Sequence, residues 1–201
     1  MKLKVYFASK NKNKAKEIKN ILSEYNIEIC IPEKDLKFPP EDADTFKGNA
    51  LNKAVFLSKF YPDDIVIADD SGLVVPALNG LPGVYSARFA GEKSSDSRNI
   101  KKLLKYMKDV KNRKAYFICV AVVVFPSGEN KIFEGRLLGE ITEKERGNNG
   151  FGYDPVFEIP EIRKTAAELS EEEKNRISHR GKAFRKSGKY LLQFLDKSTL
   201  L

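Results

Sequence analysis

The stretch Ile65-Val66-Ile67-Ala68-Asp69-Asp70-Ser71-Gly72-Leu73-Val74-Val75 constrains the fold more than any other. A β-branched apolar run of this kind is a strand that belongs inside a sheet. Two adjacent carboxylates at its end are awkward there, because a buried charge needs a partner. Ser71-Gly72 permits a sharp bend, so the pattern predicts that the acids close the strand at a sheet edge and face a cleft. Acids placed at strand ends in α/β proteins hold metals or act as bases. Two acids in a surface turn is the other reading of the same residues.

A chain of 201 residues is one large domain or two small lobes and can bury a proper core. No apolar run approaches the length of a bilayer span, which predicts no membrane crossing. The apolar part of Met1-Lys2-Leu3-Lys4-Val5-Tyr6-Phe7 is too short for a signal peptide. Cys30 and Cys119 both lie in apolar runs and read as buried thiols of a cytoplasmic protein. With one histidine and no ligand spacing, they do not make a structural zinc site. The net charge of +8 attracts polyanions such as nucleotides or nucleic acid. It is spread along the chain and not gathered in a tail, which favours a lysine-rich solvated surface over a nucleic-acid module.

In chain order, Lys4 to Ala8 reads as a strand and Ala15 to Tyr25 as a helix with Ile18, Ile21 and Leu22 on one face. Between them Ser9-Lys10-Asn11-Lys12-Asn13-Lys14 is a basic turn into a helix N-terminus. Free N–H groups, the helix dipole and the lysines suit an anion there; a capped surface turn is the alternative, and the Walker pattern is missing. Ile27 to Ile31 is a second strand, and residues 32–44 form an acidic, Pro-containing loop that carries Glu41. Thr45 caps a helix to about Phe60, with Phe46, Ala50, Ala54 and Leu57 inward and Asn49, Asn52 and Lys53 offering polar groups. Pro76 to Gly91 is an ordered loop in which Arg88 can meet phosphate or a neighbouring acid. Asp96 to Met107 is an amphipathic helix with Ile100, Leu103, Leu104 and Met107 inward. Tyr116 to Phe125 reads as a central strand, apolar on both faces, turning at 126–129 into a partner strand from Lys131 to Gly139.

From Gly147 to Phe157 glycines are interspersed with Phe151, Tyr153 and Asp154. Such a loop lets a flat ligand stack on an aromatic ring while backbone comes close; a glycine-rich turn with aromatics plugging the core is the alternative. Ser170-Glu171-Glu172-Glu173 is a capping box. Ser178 caps a last helix to about Asp196, with Ala183, Tyr190, Leu191, Phe194 and Leu195 on its apolar face. His179 reads on composition as a surface or capping residue.

Taken together and in this order, these segments resemble one family, the inosine/xanthosine triphosphate pyrophosphatases. Ser9-x-Asn11-x-x-Lys14 resembles the family's Thr/Ser-x-Asn-x-x-Lys turn. Glu41 with Thr45-Phe46 and Asn49-Ala50 is similar to its Glu-x-Gly-x-Thr-Phe-x-x-Asn-Ala segment. Ala68-Asp69-Asp70-Ser71-Gly72-Leu73, Leu81-Pro82-Gly83 and Tyr85-Ser86-Ala87-Arg88 resemble its central signature. Gly150-Phe151-Gly152-Tyr153-Asp154-Pro155 and Ser178-His179-Arg180 resemble the two later ones. Ser9 stands where Thr is commoner, Lys12-Asn13 replace the usual pair, and Ala43 replaces a Gly in the loop that presents Glu41.

The resemblance implies an elongated α/β fold: a long central mixed sheet flanked by helices, forming two lobes with a substrate cleft between them. It implies a single domain over residues 1–201, a homodimer, and neither nucleic acid nor membrane as partner. It further implies hydrolysis of non-standard purine nucleoside triphosphates (ITP, dITP, XTP) to the monophosphate and pyrophosphate by water attack at the α-phosphorus. Mg²⁺ is the expected cofactor, on Glu41 and Asp70, with Asp69 as a further metal contact or electrostatic support. Asp70 is the expected catalytic group. At an ordinary Asp pKa of about 3.9 it is a weak base, so it mainly positions the water. Ser9, Lys10, Asn11, Lys12, Asn13 and Lys14 are expected to hold the triphosphate, and Ser71 to donate to substrate. The base is expected on Phe151, with Gly152 and Tyr153 shaping the pocket and Asp154 bonded to the base. Lys174, His179 and Arg180 are expected to aim donors at the 6-oxo group and so to disfavour the 6-amino group of adenine. A nucleic-acid-binding module and a phosphohydrolase of other modified nucleotides are the rival readings.

Overall fold

The computed structural model describes residues 2–32 and 36–198, with side chains described as far as Phe194. Its strands are β1 (Leu3–Phe7), β2 (Ile27–Cys30), β3 (Ile65–Val74), β4 (Lys114–Val124), β5 (Asn130–Ile141), β6 (Phe157–Ile159) and β7 (Lys164–Thr165). Its α-helices are α1 (Lys12–Ser23), α2 (Phe46–Ser58), α3 (Asp96–Tyr106), α4 (Glu171–Ile177) and α5 (His179–Ser198). The strands lie in the order β2-β1-β3-β4-β5-β6-β7. β1 runs parallel to β2 and β3, whereas β6 is antiparallel to β5 and β7, so this is an α/β fold on a mixed sheet.

Contacts divide the chain into two units. The first comprises Met1–Asp70, Cys119–Gly135 and Arg180–Leu201. Its core takes Val5 and Phe7 from β1, Ile18, Ile21 and Leu22 from α1, Ile65 and Ile67 from β3, and Cys119, Ala121 and Val123 from β4. Ala183, Phe184 and Leu191 of α5 complete it. The apolar residues of α1 recur at helical spacing and those of β1 and β3 at every second position, the two periods that turn one face inward. The second unit comprises Ser71–Ile118 and Arg136–His179. There Leu73, Val75, Ile100, Leu103, Met107, Phe117, Phe157 and Leu169 form the core.

Most elements fall where the pattern puts them, and the departures have physical causes. Helix α1 starts at Lys12 and not at Ala15, because the Asn11 side chain accepts from the N–H groups of Asn13 and Lys14 and caps it there. The bend expected at Ser71-Gly72 is absent: β3 continues unbroken to Val74, with β1 and β4 on either side. The two acids therefore sit inside a central strand and not at an edge, and they stay there because each has found a partner. Cys119 is buried, but Cys30 is only half-buried. On β2, Ile27 and Ile29 point inward, so the alternation turns Glu28 and Cys30 outward. Strand β4 is buried on both faces, as expected of a central strand. The turn after it closes with Gly128 N–H donating to Phe125 O at 2.9 Å. Thr45 caps α2, and Ser170 and Glu173 form the capping box of α4. Ser178 ends α4 directly before α5 begins. The side chain of Leu195 and, from the expected loop, residues 33–35 lie outside the described residues.

Candidate active site

In the first unit the site is built on β3. Successive residues of a strand point to opposite faces, and Asp69 and Asp70 accordingly have different partners. Asp69 is fully buried. Its Oδ2 lies 3.0 Å from Lys14 Nζ and 3.8 Å from Arg180 Nε, with Cys119 Sγ also at 3.8 Å. Its Oδ1 has no hydrogen-bond partner among the described residues. Burial pushes the Asp69 pKa up, but Lys14, Arg180 and Lys53 together hold it down at about 2.

Asp70 is 5% exposed, and its Oδ2 accepts from Asn49 Nδ2 at 2.9 Å. Asn49 Oδ1 in turn accepts from Ala43 N–H, which ties the loop carrying Glu41 to the acid on β3. Burial pushes the Asp70 pKa up to about 6, against Lys14 and Lys53. Glu41 pairs with Lys53. Burial raises the Glu41 pKa, yet the lysine beside it prevails and leaves it below the ordinary value. Lys53 is itself buried; burial opposes its charge, but Asp69, Glu41 and Asp70 keep its pKa above normal. Two neighbouring carboxylates thus have pKa values driven apart by their surroundings, the arrangement that assigns different roles to chemically alike groups.

The basic turn is partly committed to its own fold. Asn11 N–H donates to Ser9 Oγ, and the N–H groups of Asn13 and Lys14 donate to Asn11 Oδ1. Lys10, Asn11, Lys12 and Asn13 are exposed, whereas Lys14 is directed at Asp69. Arg180, expected among the base-facing donors, is 2% exposed, pairs with Glu17 and lies beside Asp69. Glu41 and Asp69 act on each other's surroundings electrostatically, as do Glu41 and Asp70, although among the described residues no three of His, Cys, Asp and Glu form a ready-made metal-binding group.

The second unit carries the remaining residues. Gly150 and Gly152 have φ of +75° and +64° and let the chain turn tightly around Phe151. A Cβ at Gly150 would collide with the Asp154 carboxylate. Asp154 Oδ2 accepts from Phe151 N–H at 2.9 Å and from Lys174 Nζ at 2.5 Å. Lys174 Nζ lies 4.7 Å from the centre of the half-buried Phe151 ring. Tyr153 is buried and donates its hydroxyl to Ser86 O at 2.8 Å; burial raises its pKa. Gly152 N–H donates to Asp96 Oδ2 at 2.7 Å. His179 is buried, stacked on Phe117 with ring centres 4.8 Å apart. Ser71 is half-buried on β3.

The motifs thus form two clusters, one of acids and cations, the other a glycine–aromatic loop with a lysine beside its ring. Glu17 and Asp96 stand out only in the structure, and Lys53, which the sequence offers only as a polar group of α2, emerges there as the partner of Glu41. Lys53 lies four residues after Asn49 on α2, on the buried face between Ala50 and Ala54. Glu17 lies three residues after Lys14 on α1. A polar residue recurring at helical spacing on an apolar face is the signal that would have found both. Asp96 carried no such signal.

Residues 5–190 match the Ham1 family. The dITP/XTP pyrophosphatase of Clostridium perfringens is 50% identical over 192 residues, covering 91% of this chain and 94% of that protein. The dITP/XTP pyrophosphatase of Bacillus anthracis is 48% identical over 192 residues, covering 90% of this chain and 93% of that protein. Among solved structures, a HAM1 protein from Coxiella burnetii superposes with a TM-score of 0.87 at 38% identity, over 95% of this chain and 99% of that one. The Ham1 protein of Staphylococcus aureus does so with 0.80 at 41% identity, over 97% and 99%.

Proposed function

The chain belongs to the Ham1 family, and from that premise we propose that it hydrolyses non-standard purine nucleoside triphosphates, dITP, ITP and XTP, to the monophosphate and pyrophosphate. The observation that carries this reading is the buried acid pair on β3, with Asp69 held at a pKa of about 2 and Asp70 pushed up to about 6 among Lys14, Lys53 and Arg180. Fixed cations suit a polyphosphate, and the acid with the raised pKa is the one able to take a proton.

Asp70 orients the attacking water at the α-phosphorus and accepts its proton. Lys14 and Lys53 bind phosphate oxygens, Lys14 held in place by Asp69. Arg180 acts as the counter-ion of Asp69 and Glu17. A magnesium ion fits this chemistry: the donors are hard carboxylate oxygens, and one of them, Asp69 Oδ1, has no hydrogen-bond partner among the described residues. Glu41 and Asp70 would hold it, and it would neutralise phosphate charge and acidify the water. In the second unit the Phe151 ring takes the base by stacking, and Lys174 Nζ donates to the 6-oxo group. Asp154 anchors the loop and sets the lysine, because its Oδ2 already accepts two donors. Ser9 to Asn13 and Ser71 contribute further phosphate contacts, and His179 a further base contact. The reading includes a homodimer working in the cytoplasm; no helix among the described residues is long and apolar enough to cross a membrane.

The test is purified protein with Mg²⁺ and a panel of triphosphates, with pyrophosphate and orthophosphate read separately. Pyrophosphate from dITP and XTP but hardly from dATP is the expected result. Orthophosphate as the first product would mean attack at the γ-phosphorus and a different enzyme.

A further inference from the structure

The loop from Gly150 to Asp154 carries the ring and the acid of the second cluster, yet part of its hold comes from a residue outside all the motifs. Phe151 N–H is taken by Asp154 from within the loop. The next N–H, that of Gly152, is taken by the Asp96 carboxylate at 2.7 Å. Asp96 opens α3, directly after the cap Ser95. The same helix face holds the preceding loop: Asn99 Oδ1 accepts from Ala90 N–H and Ser94 Oγ, and its Nδ2 donates to Ala87 O. The first turn of α3 therefore holds one loop through Asn99 and the other through Asp96.

Gly152 needs that hold. At φ +64° it has the freedom of glycine, and a Cβ there would meet nothing within 4 Å, so no side-chain packing on that side confines it. The peptide after Phe151 is held at both ends, its carbonyl by Asp154 N–H at 3.4 Å and its N–H by the charged Asp96 carboxylate, the shorter and stronger of the two bonds. We propose that Asp96 is a positioning residue: by accepting from Gly152 N–H it holds the Phe151 ring in the orientation that receives the purine base.

This rests on the reading of Phe151 as the base platform, and the experiment separates the two. Asp96→Ala removes the acceptor, whereas Asp96→Asn keeps an acceptor oxygen and removes the charge. In the first arm, amide exchange of Gly152 is followed by NMR in the protein without nucleotide. Asp96→Ala exchanges this amide about tenfold faster, as expected for loss of one hydrogen bond, and Asp96→Asn stays within about threefold of the parent. In the second arm, dITP hydrolysis by Asp96→Ala shows KM raised about tenfold with kcat within about twofold, again reversed by Asp96→Asn. Unchanged exchange in Asp96→Ala overturns the proposal. So does an Asp96→Asn variant as impaired as Asp96→Ala, since the charge at the start of α3 would then be what matters. Faster exchange with an unmoved KM overturns the role in binding. If the parent protein released no pyrophosphate at all, the functional reading would fall, and the proposal for base positioning with it, while the exchange arm would still decide the Asp96 contact.

Discussion

Asp70 is held in its buried place at a cost that the metal-free protein should reveal. Its carboxyl has a pKa of about 6 in the fold against an ordinary value of 3.8, because burial outweighs Lys14, Lys53 and the bond from Asn49. A group whose folded pKa is raised contributes its full stability below the unfolded pKa and loses it as pH rises through the folded one. For Asp70 that window runs from about pH 4 to about pH 6, and above it the loss is constant. Two units at 1.36 kcal/mol each amount to about 3 kcal/mol. Asp70→Asn removes the charge and keeps the shape, and the side-chain oxygen still accepts from Asn49. In chelator at pH 8 the substituted protein should therefore be the more stable by up to about 3 kcal/mol, which for a chain of this length raises Tm by up to roughly 6–12 °C. The difference should shrink towards zero as pH falls from 6 to 4, and Mg²⁺ should narrow it at pH 8 by binding the parent more tightly. Thermal unfolding of both proteins across pH 4–8, with and without Mg²⁺, measures all of this. A variant no more stable than the parent at pH 8, or a gap that ignores pH, would refute the view that burial dominates at Asp70.

The other expectations concern single groups. Arg180→Ala leaves Glu17 and Asp69 buried without their guanidinium partner and should destabilise the fold by about 3–5 kcal/mol in urea unfolding; a loss under about 1 kcal/mol would show that the network is dispensable. Asp69, held at a pKa of about 2, stabilises the protein above about pH 4 and loses this as pH falls towards 2. Asp69→Asn should flatten the acid limb of the stability curve, and an unchanged acid limb would contradict the assignment. Lys174→Met keeps the apolar stem and removes the donor, so the ratio of kcat/KM for dITP over dATP should fall at least about tenfold. Equal proportional losses on the two substrates would count against a role in base selection.

The framework was legible from periodicity: β-branched runs, amphipathic helices and capping residues place every strand and α-helix within a few residues except β6 and β7, which are too short to show a period. The clusters were legible as motifs, and Asp69, Asp70, Lys14, Phe151, Asp154 and Lys174 do gather into them. What the sequence hid was which groups neutralise which. Two acids in an apolar run look as if they must leave the sheet, and only long-range partners, Lys14 from α1 and Asn49 from α2, let them remain in it. Arg180 looked free to face a ligand because Glu17, 163 positions away in the chain, gives no local hint that it is its partner. The early start of α1 has a local reason: the apolar spacing begins only at Ala15, whereas the cap that sets the helix start is the polar Asn11 of the turn, which accepts from Asn13 and Lys14.

The central claim is the point of attack. Hydrolysis of dITP in ¹⁸O-labelled water, followed by mass spectrometry of the products, locates it directly. Water attack at the α-phosphorus places one ¹⁸O in the monophosphate and leaves the released pyrophosphate unlabelled. Label in pyrophosphate or in orthophosphate would contradict the account.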